Sequence, residues 1–519
     1  MTLVPEVGTD WILGSTNIDE DLHYSSYFLR AATGNFGKDR TRYESLVSVY
    51  KSTTEHYFVR VTEAEIIARR EIELVLTDSS DLGARLFELQ DRIKGLERFG
   101  RKFSSVSHGG FNSRSDGVDF YRENDKRLRR LYALARVPEV LDRGKPWMTN
   151  YLREYVGRRV SEDPNSEVVT QVFLNHVLPR QPAMSVRRLL RRKDYDLLVR
   201  SVSESDLSNE DIEEISRSPG LAHQFMDPDS LSRIKILSEE ISYLSYHGYT
   251  RRTLPTFDEF LQRFVQEVVR ARRLGDLTVG LPAQLREGSK LPNFEPDPPH
   301  VMLFNMYRRI SDLKLRRRMA QLRLFPALDD FLRFAAEFMG IRERALRFAL
   351  PEELIGLLAC PSRSLLNELV ERSRGCVVAW DITGWRIETQ PEALGRWTEH
   401  AAQVEDGPGG TDLQGEPVYP GIVRARCVLA DRGSVSPGNR FDAESFVLVS
   451  EATELDMLDV MLSASAIVTA RGGVTSHAAT ICRELGIPAV VGVRGVTDRV
   501  RPGMILEVDG GRGTVSIVG

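Results

Sequence analysis

The spacing of hydrophobic residues predicts α-helices over most of the first 400 residues. One apolar stripe begins in Thr256-Phe257-Asp258-Glu259, which has the form of a capping box, and we expect its helix to end near Gly275. A second stripe ends at Gly340, and Pro351 stands where the first turn of a further helix is expected. Thr62-Glu63-Ala64-Glu65 is another capping box, and it predicts a helix to about residue 76. These stripes indicate the core of a helix bundle, and their apolar members are Phe257, Phe260, Leu261, Phe264, Val265, Val268, Phe331, Phe334, Ala335 and Phe338.

Two polar segments interrupt the helical pattern and are predicted to be loops. Residues 104–119 are rich in serine, glycine and asparagine, and they contain His108, Arg114 and Asp116. Residues 276–300 contain five prolines. We expect this second segment to form a lid or a crossing between helical subdomains.

The pattern changes near residue 405, where a polar, glycine-rich stretch has the composition of a flexible linker. Beyond it, short β-type runs predict strands at 421–429, 446–449, 466–469, 489–493, 504–508 and 514–518, with one helix at 476–485. We therefore predict a multidomain chain. A large, mainly α-helical region at residues 1–404 precedes a linker at residues 405–415, and a small α/β domain follows at residues 416–519.

Composition and charge narrow the class of protein. The chain has 519 residues, a net charge of -4 and 41% hydrophobic residues, so we expect a globular protein that binds neither nucleic acid nor a membrane. No stretch approaches 18 apolar residues, and residues 1–11 lack the pattern of a signal peptide. The four cysteines include no C-x-x-C pair. We expect no disulfide framework and no metal site, and the reducing cytoplasm as the location.

The segment from Thr469 to Gly492 carries the candidate chemistry. A predicted strand ends there in Gly472-Gly473, and small hydroxyl residues lead to His477 in the first turn of a predicted helix. Glycines allow the backbone to approach a phosphate closely, and a helix N-terminus offers unpaired N–H groups and a positive dipole end. A neutral imidazole is a competent nucleophile near pH 7. The pattern is therefore compatible with a phosphohistidine, but a histidine after two glycines is also common as a capping or turn residue.

This segment resembles, nearly residue for residue, the phosphohistidine signature of pyruvate phosphate dikinase and phosphoenolpyruvate synthase. The resemblance implies that residues 416–519 form a swivelling phosphohistidine domain and that His477 accepts and donates the phosphoryl group. It also implies that the residues before His477 shape the phosphate pocket, with Arg471 helping to neutralise phosphate charge. These pocket residues are Gly472, Gly473, Thr475 and Ser476. Thr453 and Asp456 are similar to the family's threonine-x-x-aspartate stretch, although the proline usual there is missing.

The helical region is similar to the same family in two places. Residues of about 333–374 resemble the helices that precede the swivelling domain, and Ser107-His108-Gly109-Gly110 resembles a histidine-glycine loop in the helical acceptor domain. We recognise no ATP-grasp pattern, no P-loop and no phosphoenolpyruvate/pyruvate barrel. The arrangement resembles the histidine-bearing subunit of split systems such as phenylphosphate synthase, and rifampin phosphotransferase without its nucleotide domain. The resemblance therefore implies that ATP and Mg²⁺ act through an ATP-grasp partner protein.

Three functions are compatible with this arrangement. The first is a phosphotransferase component in which His477 passes its phosphoryl group to a small organic acceptor in the helical region. The second is a non-catalytic phosphocarrier, and the third is a phosphorylation-assisted dehydratase. For the first, His108 is the candidate general base, with His23 as a second candidate. Arg114 and Asp116 are candidate substrate-binding residues, although each of these four residues is also compatible with a purely structural role.

Overall fold

The computed structural model describes most of the chain. The described residues are 4–18, 20–34, 42–51, 54–103, 114–141, 147–160, 192–241, 256–274, 295–406, 413–430, 445–453, 457, 460–461, 464–474 and 476–518. They fall into two units. The first includes Met1–Tyr155 and Phe294–Gly409, and the second includes Val156–Tyr246, Thr253–Asn293 and Gly410–Gly519. Among the described residues, no helix is both long enough and apolar enough to cross a membrane.

A five-stranded antiparallel sheet lies in the first unit. Its strands are β1 (Trp11–Ile18), β2 (Ser45–Lys51), β3 (Thr54–Arg60), β4 (Cys376–Asp381) and β5 (Gly384–Glu388), in the order β1-β3-β2-β4-β5. Both faces of the sheet are covered by buried hydrophobic clusters. Because both faces are buried, β2 and β4 have apolar residues in succession rather than in alternation. The prediction of a mainly helical region therefore missed this sheet.

The described helices before residue 160 are α1 (Leu22–Ala32), α2 (Val61–Thr77), α3 (Ser80–Phe103), α4 (Arg114–Val140) and α5 (Trp147–Gly157). The predicted capping box at Thr62 is wrong, because α2 begins one residue earlier and its N-cap, Arg60, makes no side-chain capping bond. The loop predicted at 104–119 is wrong for residues 114–119, which form the start of α4. Residues 104–113 lie outside the described residues.

A small helical bundle follows in the second unit. It contains α6 (Arg192–Ser203), α7 (Asn209–Arg217), α8 (Ala222–Phe225), α9 (Pro228–Ile241) and α10 (Phe257–Leu274), which share one hydrophobic core. The capping box at the start of α10 is confirmed, since Glu259 N donates to Thr256 Oγ1 at 3.2 Å and Thr256 N donates to Glu259 Oε2 at 3.0 Å. The stop predicted at Gly275 lies outside the described residues.

The remaining helices of the first unit are α11 (Pro298–Met339), α12 (Glu343–Leu346), α13 (Pro351–Ala359), α14 (Arg363–Arg372) and α15 (Pro391–Asp406). The predicted ends are confirmed: α11 ends at Gly340, which has a φ of +67°, and α13 begins with Pro351. Of the loop predicted at 276–300, residues 276–294 lie outside the described residues and residues 298–300 are the first turn of α11.

The C-terminal part of the second unit is an eight-stranded sheet. Its strands are β6 (Leu413–Gln414), β7 (Glu416–Tyr419), β8 (Ile422–Ala430), β9 (Phe446–Ser450), β10 (Ala466–Thr469), β11 (Ala489–Val491), β12 (Ile505–Asp509) and β13 (Thr514–Ile517). The order is β6-β13-β12-β8-β9-β10-β11-β7, with β8 to β11 parallel and the other pairings antiparallel. The described part of this domain also contains the helices α16 (His477–Leu485) and α17 (Val496–Arg499). The six predicted strands and the helix at 476–485 are thus present, whereas β6 and β7 were missed.

Gly415 alone separates β6 from β7, although these strands lie at opposite edges of the sheet. Gly415 N donates to Gly513 O at 2.9 Å, and a Cβ at Gly415 would lie 2.6 Å from Val491 O. The two edges therefore meet, and the sheet closes on itself. Of the predicted linker at 405–415, residues 405–406 end α15, residues 413–414 form β6, and residues 407–412 lie outside the described residues.

Candidate functional site

The candidate site lies where the parallel strands β9 and β10 end. Ser450 and Thr469 are register partners at the carboxyl ends of these strands, and the loop of residues 470–476 leads from β10 to α16. In open α/β sheets and in closed parallel barrels alike, ligands bind at the carboxyl ends of the parallel strands. The fold thus presents the predicted phosphate-binding residues at the edge where a ligand is expected.

Two glycines give this loop its shape. Gly472 has a φ of +106°, and a Cβ there would lie 3.2 Å from both Cβ and Oγ of Ser476. Gly492 has a φ of +71°, and a Cβ there would lie 2.8 Å from the carbonyl oxygen of Gly472. Only glycine adopts such backbone angles routinely, so both positions require it. Gly473 differs, because no atom of the described residues lies within 4 Å of its Cβ position.

Ser476 begins α16 as its N-cap. Its hydroxyl oxygen accepts from Ala479 N at 3.2 Å, and its own N–H donates to Gly473 O at 2.8 Å. His477 is therefore the first helical residue, at the end of the helix where N–H groups lack intrahelical partners and the dipole is positive. The side chain of His477 and the whole of Thr475 lie outside the described residues.

Arg471 is held by a carboxylate that the sequence reasoning missed. Its Nε donates to Glu451 Oε1 at 2.5 Å, and Thr497 Oγ1 donates to Glu451 Oε2 at 3.0 Å. The Arg471 and Glu451 side chains are both 29% exposed. The guanidinium predicted to neutralise phosphate charge is thus already balanced in part by Glu451. The carboxylate follows the end of β9 directly, which is the one signal that could have identified it.

Two buried hydroxyls lie at the same strand ends. Ser450 is 1% exposed and Thr453 is 6% exposed, and within the described part of the chain neither hydroxyl has a hydrogen-bond partner. A buried hydroxyl without a partner is costly, so both are suited to bind a polar group. Thr453 belongs to the predicted threonine-x-x-aspartate stretch, whose Asp456 lies outside the described residues. Ser450 was missed, because a serine that ends a buried strand carries no distinctive pattern.

The cysteines play no visible part in the site. Burial raises the pKa of Cys482, which lies in α16, to about 12. A thiol with such a pKa is a poor nucleophile at neutral pH. Among the described residues, no group of three or more histidine, cysteine or acidic side chains could hold a metal ion.

The structure describes only some of the candidate residues of the helical region. His108 lies outside the described residues, and so does the side chain of Arg114, which begins α4. Asp116 is exposed in the first turn of α4, where its negative charge complements the helix dipole. The loop setting predicted for Arg114 and Asp116 is therefore wrong, and their role in substrate binding stays a prediction.

His23 lies in the interior of the first unit and has no exposed surface. Its Nδ1–H donates to Ala349 O at 2.8 Å, and Tyr121 O–H donates to its Nε2 at 3.3 Å. Burial lowers the pKa of His23, so the ring is held in its neutral form. A base needs contact with its substrate, and both ring nitrogens of His23 already have protein partners.

A buried ionic cluster near His23 was not predicted. Arg347 is 1% exposed and donates to Asp329 at 2.5 Å, to Glu343 at 2.6 Å and to Asp21 at 3.3 Å. The cluster joins the N-cap of α1 to α11 and α12. Burial raises the pKa of Asp21, although the adjacent Arg347 opposes the rise.

The C-terminal domain matches a known family. Residues 442–513 match the model of the PEP-utilising enzyme, mobile domain. This match covers the strands β9 to β12, the loop of residues 470–476 and α16. The C-terminal domain is therefore a mobile domain of the kind found in phosphoenolpyruvate-utilising enzymes.

Curated relatives are similar to this chain over a longer stretch than the family model. The phosphoenolpyruvate synthase of Aeropyrum pernix is 36% identical over 137 residues, which are 25% of this chain and 16% of that enzyme. The phosphoenolpyruvate synthase of Pyrococcus furiosus is 42% identical over 118 residues, which are 22% of this chain and 14% of that enzyme. The probable phosphoenolpyruvate synthase of Archaeoglobus fulgidus is 36% identical over 159 residues, which are 29% of this chain and 21% of that protein. The chain thus matches about a fifth or less of each relative.

Proposed function

We propose that this protein is a phosphotransferase component in which His477 is phosphorylated from ATP and then passes the phosphoryl group to a small organic acceptor in the first unit. The proposed donor is a separate ATP-grasp protein, which binds ATP and Mg²⁺ at its own site. The proposed location is the cytoplasm.

One observation supports the proposal above all others. Within the residues that match the mobile-domain family, Gly472 and the Ser476 N-cap place His477 at the first position of α16. A phosphoryl group on its imidazole would meet the positive end of that helix. Ser450 ends the adjacent strand β9 and Thr453 follows it three residues later, and their hydroxyls would be available as further donors.

Phosphoryl transfer requires few further groups from this domain. Phosphoryl transfer depends mainly on in-line positioning and on stabilisation of negative charge, both of which fixed N–H groups and hydroxyls supply. The imidazole is the nucleophile towards ATP and the leaving group towards the acceptor. A base beside the acceptor hydroxyl would assist the second step.

The first experiment incubates the protein with the ATP-grasp protein and ATP labelled at the β-phosphate. We expect acid-labile, base-stable label on the wild-type chain and none on His477→Ala. The control is His223→Ala, which changes an exposed histidine of α8 and should label normally. Label on His477→Ala, or no label on the wild type, would overturn the proposal.

A second experiment separates a phosphotransferase from a phosphocarrier. The labelled protein is mixed with phenol, glycerol or pyruvate, and the loss of protein-bound label is followed with time. Transfer to the acceptor predicts faster label loss together with a labelled small molecule. If loss is the same with every acceptor, the phosphocarrier alternative is favoured.

A further inference from the structure

Three side chains of the first unit form a hydrogen-bonded chain at the beginning of α11. Asp297 Oδ1 lies 2.6 Å from His300 Nδ1, and His300 Nε2 lies 3.1 Å from the hydroxyl oxygen of Tyr151. Asp297 and His300 come from the start of α11, whereas Tyr151 comes from α5. The helical pattern around α5 gave no hint of this contact.

The carboxylate sets the order of donors and acceptors in this chain when the imidazole is neutral. The hydrogen bond from His300 lowers the pKa of Asp297 to about 2, so the carboxylate is ionised and can only accept. His300 Nδ1 therefore donates to Asp297, and in the neutral ring Nε2 accepts from the Tyr151 hydroxyl. An imidazole oriented in this way by a carboxylate is arranged to take a proton from its hydroxyl partner.

The His300 ring is also held in place. Tyr155 stacks on it with ring centroids 3.5 Å apart and an interplanar angle of 12°. The Tyr155 hydroxyl donates to the second carboxylate oxygen of Asp297 at 3.0 Å. Both groups of the pair are thus oriented by neighbours before any ligand arrives, which is a requirement for efficient proton transfer.

A purely structural role explains only part of this arrangement. Asp297 is the N-cap of α11, and His300 N donates to its Oδ1 at 3.1 Å. Capping requires that backbone contact but neither the imidazole ring nor the Tyr151 hydroxyl. Tyr151 is half-buried, and the side chains of His300 and Asp297 are 15% and 42% exposed, so a ligand can reach all three. His23, by contrast, is completely buried.

We propose that Tyr151 is a catalytic acid–base residue for a hydroxyl-bearing acceptor. His300 and Asp297 are its positioning residues: His300 accepts the Tyr151 proton, and Asp297 orients His300. The proposal rests on the phosphotransfer proposed above. In the transfer step, the acceptor oxygen forms a bond to phosphorus while the bond between phosphorus and the His477 nitrogen breaks. The electron pair of the broken bond returns to the His477 ring, which leaves as neutral imidazole with a proton on its other nitrogen. The acceptor proton passes to the Tyr151 oxygen as the Tyr151 proton passes to His300 Nε2, and the resulting imidazolium is stabilised by Asp297.

The test uses phenylmethanesulfonyl fluoride as a probe of Tyr151 and needs no knowledge of the acceptor. Sulfonylation forms a bond between the tyrosine oxygen and sulfur, expels fluoride and requires a base for the phenol proton. Its rate at Tyr151 is measured on the full chain by mass spectrometry of the peptides. Removal of a general base typically costs about 10²-fold or more, so we expect such a loss in His300→Gln.

Two variants control for structural effects. Asp297→Asn keeps an equally good N-cap but removes the carboxylate, and we expect about a tenfold slower reaction at Tyr151. His56→Gln changes a histidine of β3 that bonds Thr16, and it should react like the wild type. Wild-type reactivity of Tyr151 in both His300→Gln and Asp297→Asn would overturn the proposal. If His300→Gln does not fold, Asp297→Asn decides.

The outcome is separable from the fate of the phosphohistidine. Labelling of His477 by the ATP-grasp protein is measured in parallel on the wild type and on Tyr151→Phe, and we expect equal labelling. If the chain never takes up label but Tyr151 shows the predicted reactivity, the phosphotransfer proposal fails and the proton-transfer chain stands. If label is taken up but Tyr151 is indifferent to His300, only the inference about Tyr151 fails.

Discussion

Gly472 and Gly473, which are neighbours in the loop before α16, differ in what a side chain would meet at each position. At Gly472 the backbone conformation and the nearby Ser476 side chain both exclude a Cβ, whereas the Cβ position of Gly473 is open. The requirement at Gly472 is therefore one of folding. The open position at Gly473 leaves room for a ligand to approach the backbone there.

We expect Gly472→Ala to lower the free energy of unfolding by about 1–3 kcal/mol, the usual cost of a residue held in an unfavourable backbone region. Gly473→Ala should change it by less than about 1 kcal/mol. Chemical denaturation of both variants provides the measurement. If Gly473→Ala leaves stability unchanged but lowers labelling of His477, close approach of phosphate to this backbone is supported. Equal stability losses in the two variants would contradict the assignment.

The neutral state of His23 predicts a dependence of stability on pH. Burial lowers the pKa of His23 from its ordinary value of 6.5, so the unfolded chain binds a proton that the folded chain rejects. The contribution of neutral His23 to the free energy of unfolding is complete above the pKa that His23 has in the unfolded chain. This contribution is lost as the pH falls below that pKa. The stability advantage of the wild type over His23→Gln should therefore shrink by about 1 kcal/mol between pH 7.5 and 5.5.

Denaturation curves of both proteins at the two pH values give this difference. Groups such as Asp21 titrate in both proteins, so their contribution largely cancels in the comparison. An advantage that stays constant or grows towards pH 5.5 would show that His23 is not held neutral in the folded protein.

At the scale of elements, the sequence predicts the helices and strands that depend on local patterns, but it does not predict those that depend on contacts between distant segments. The strands and helix of the C-terminal domain follow from β-branched runs, glycine stops and the motif before His477, all of which lie within a few residues of one another. The first sheet was missed because β2 pairs with β4 more than 300 residues later and both strands are buried on two faces. Glu451 and Ser450 were missed for a related reason, since they join the site only through the pairing of β9 with β10.

The buried ionic cluster that joins α1, α11 and α12 gives a further prediction about stability. Arg347→Met removes the cation and leaves the carboxylates of Asp21 and Asp329 buried without it. The removal of one partner from a buried ion pair typically costs about 3–5 kcal/mol. Arg374→Met is the matched control, because its pair with Glu371 is 70% and 54% exposed and should contribute about 0–1 kcal/mol.

Urea denaturation of the two variants measures both effects. A loss in Arg347→Met no larger than in Arg374→Met would mean that the cluster is better solvated than its geometry indicates.

At the scale of the whole molecule, the C-terminal sheet has its own hydrophobic core and a closed arrangement of strands. We expect residues 413–519 alone to unfold cooperatively. A fragment of residues 420–519 should be much less stable, because the loss of β6 and β7 leaves β13 and β11 as open edges. Thermal unfolding followed by circular dichroism compares the two fragments. Equal thermal stability of the two fragments would show that the closure of the sheet does not contribute to the stability of this domain.

The 42 residues of α11 separate two polar sites of the first unit. At about 1.5 Å per residue, His300 near its beginning and Asp329 near its end lie roughly 44 Å apart. Energetic effects at such distances usually add without coupling. A double-mutant cycle between His300→Gln and Arg347→Met should therefore give an interaction energy within about 0.5 kcal/mol of zero. The proton-transfer chain and the ionic cluster would then be free to change independently in evolution, so that one can be altered for a new acceptor while the other keeps the unit folded.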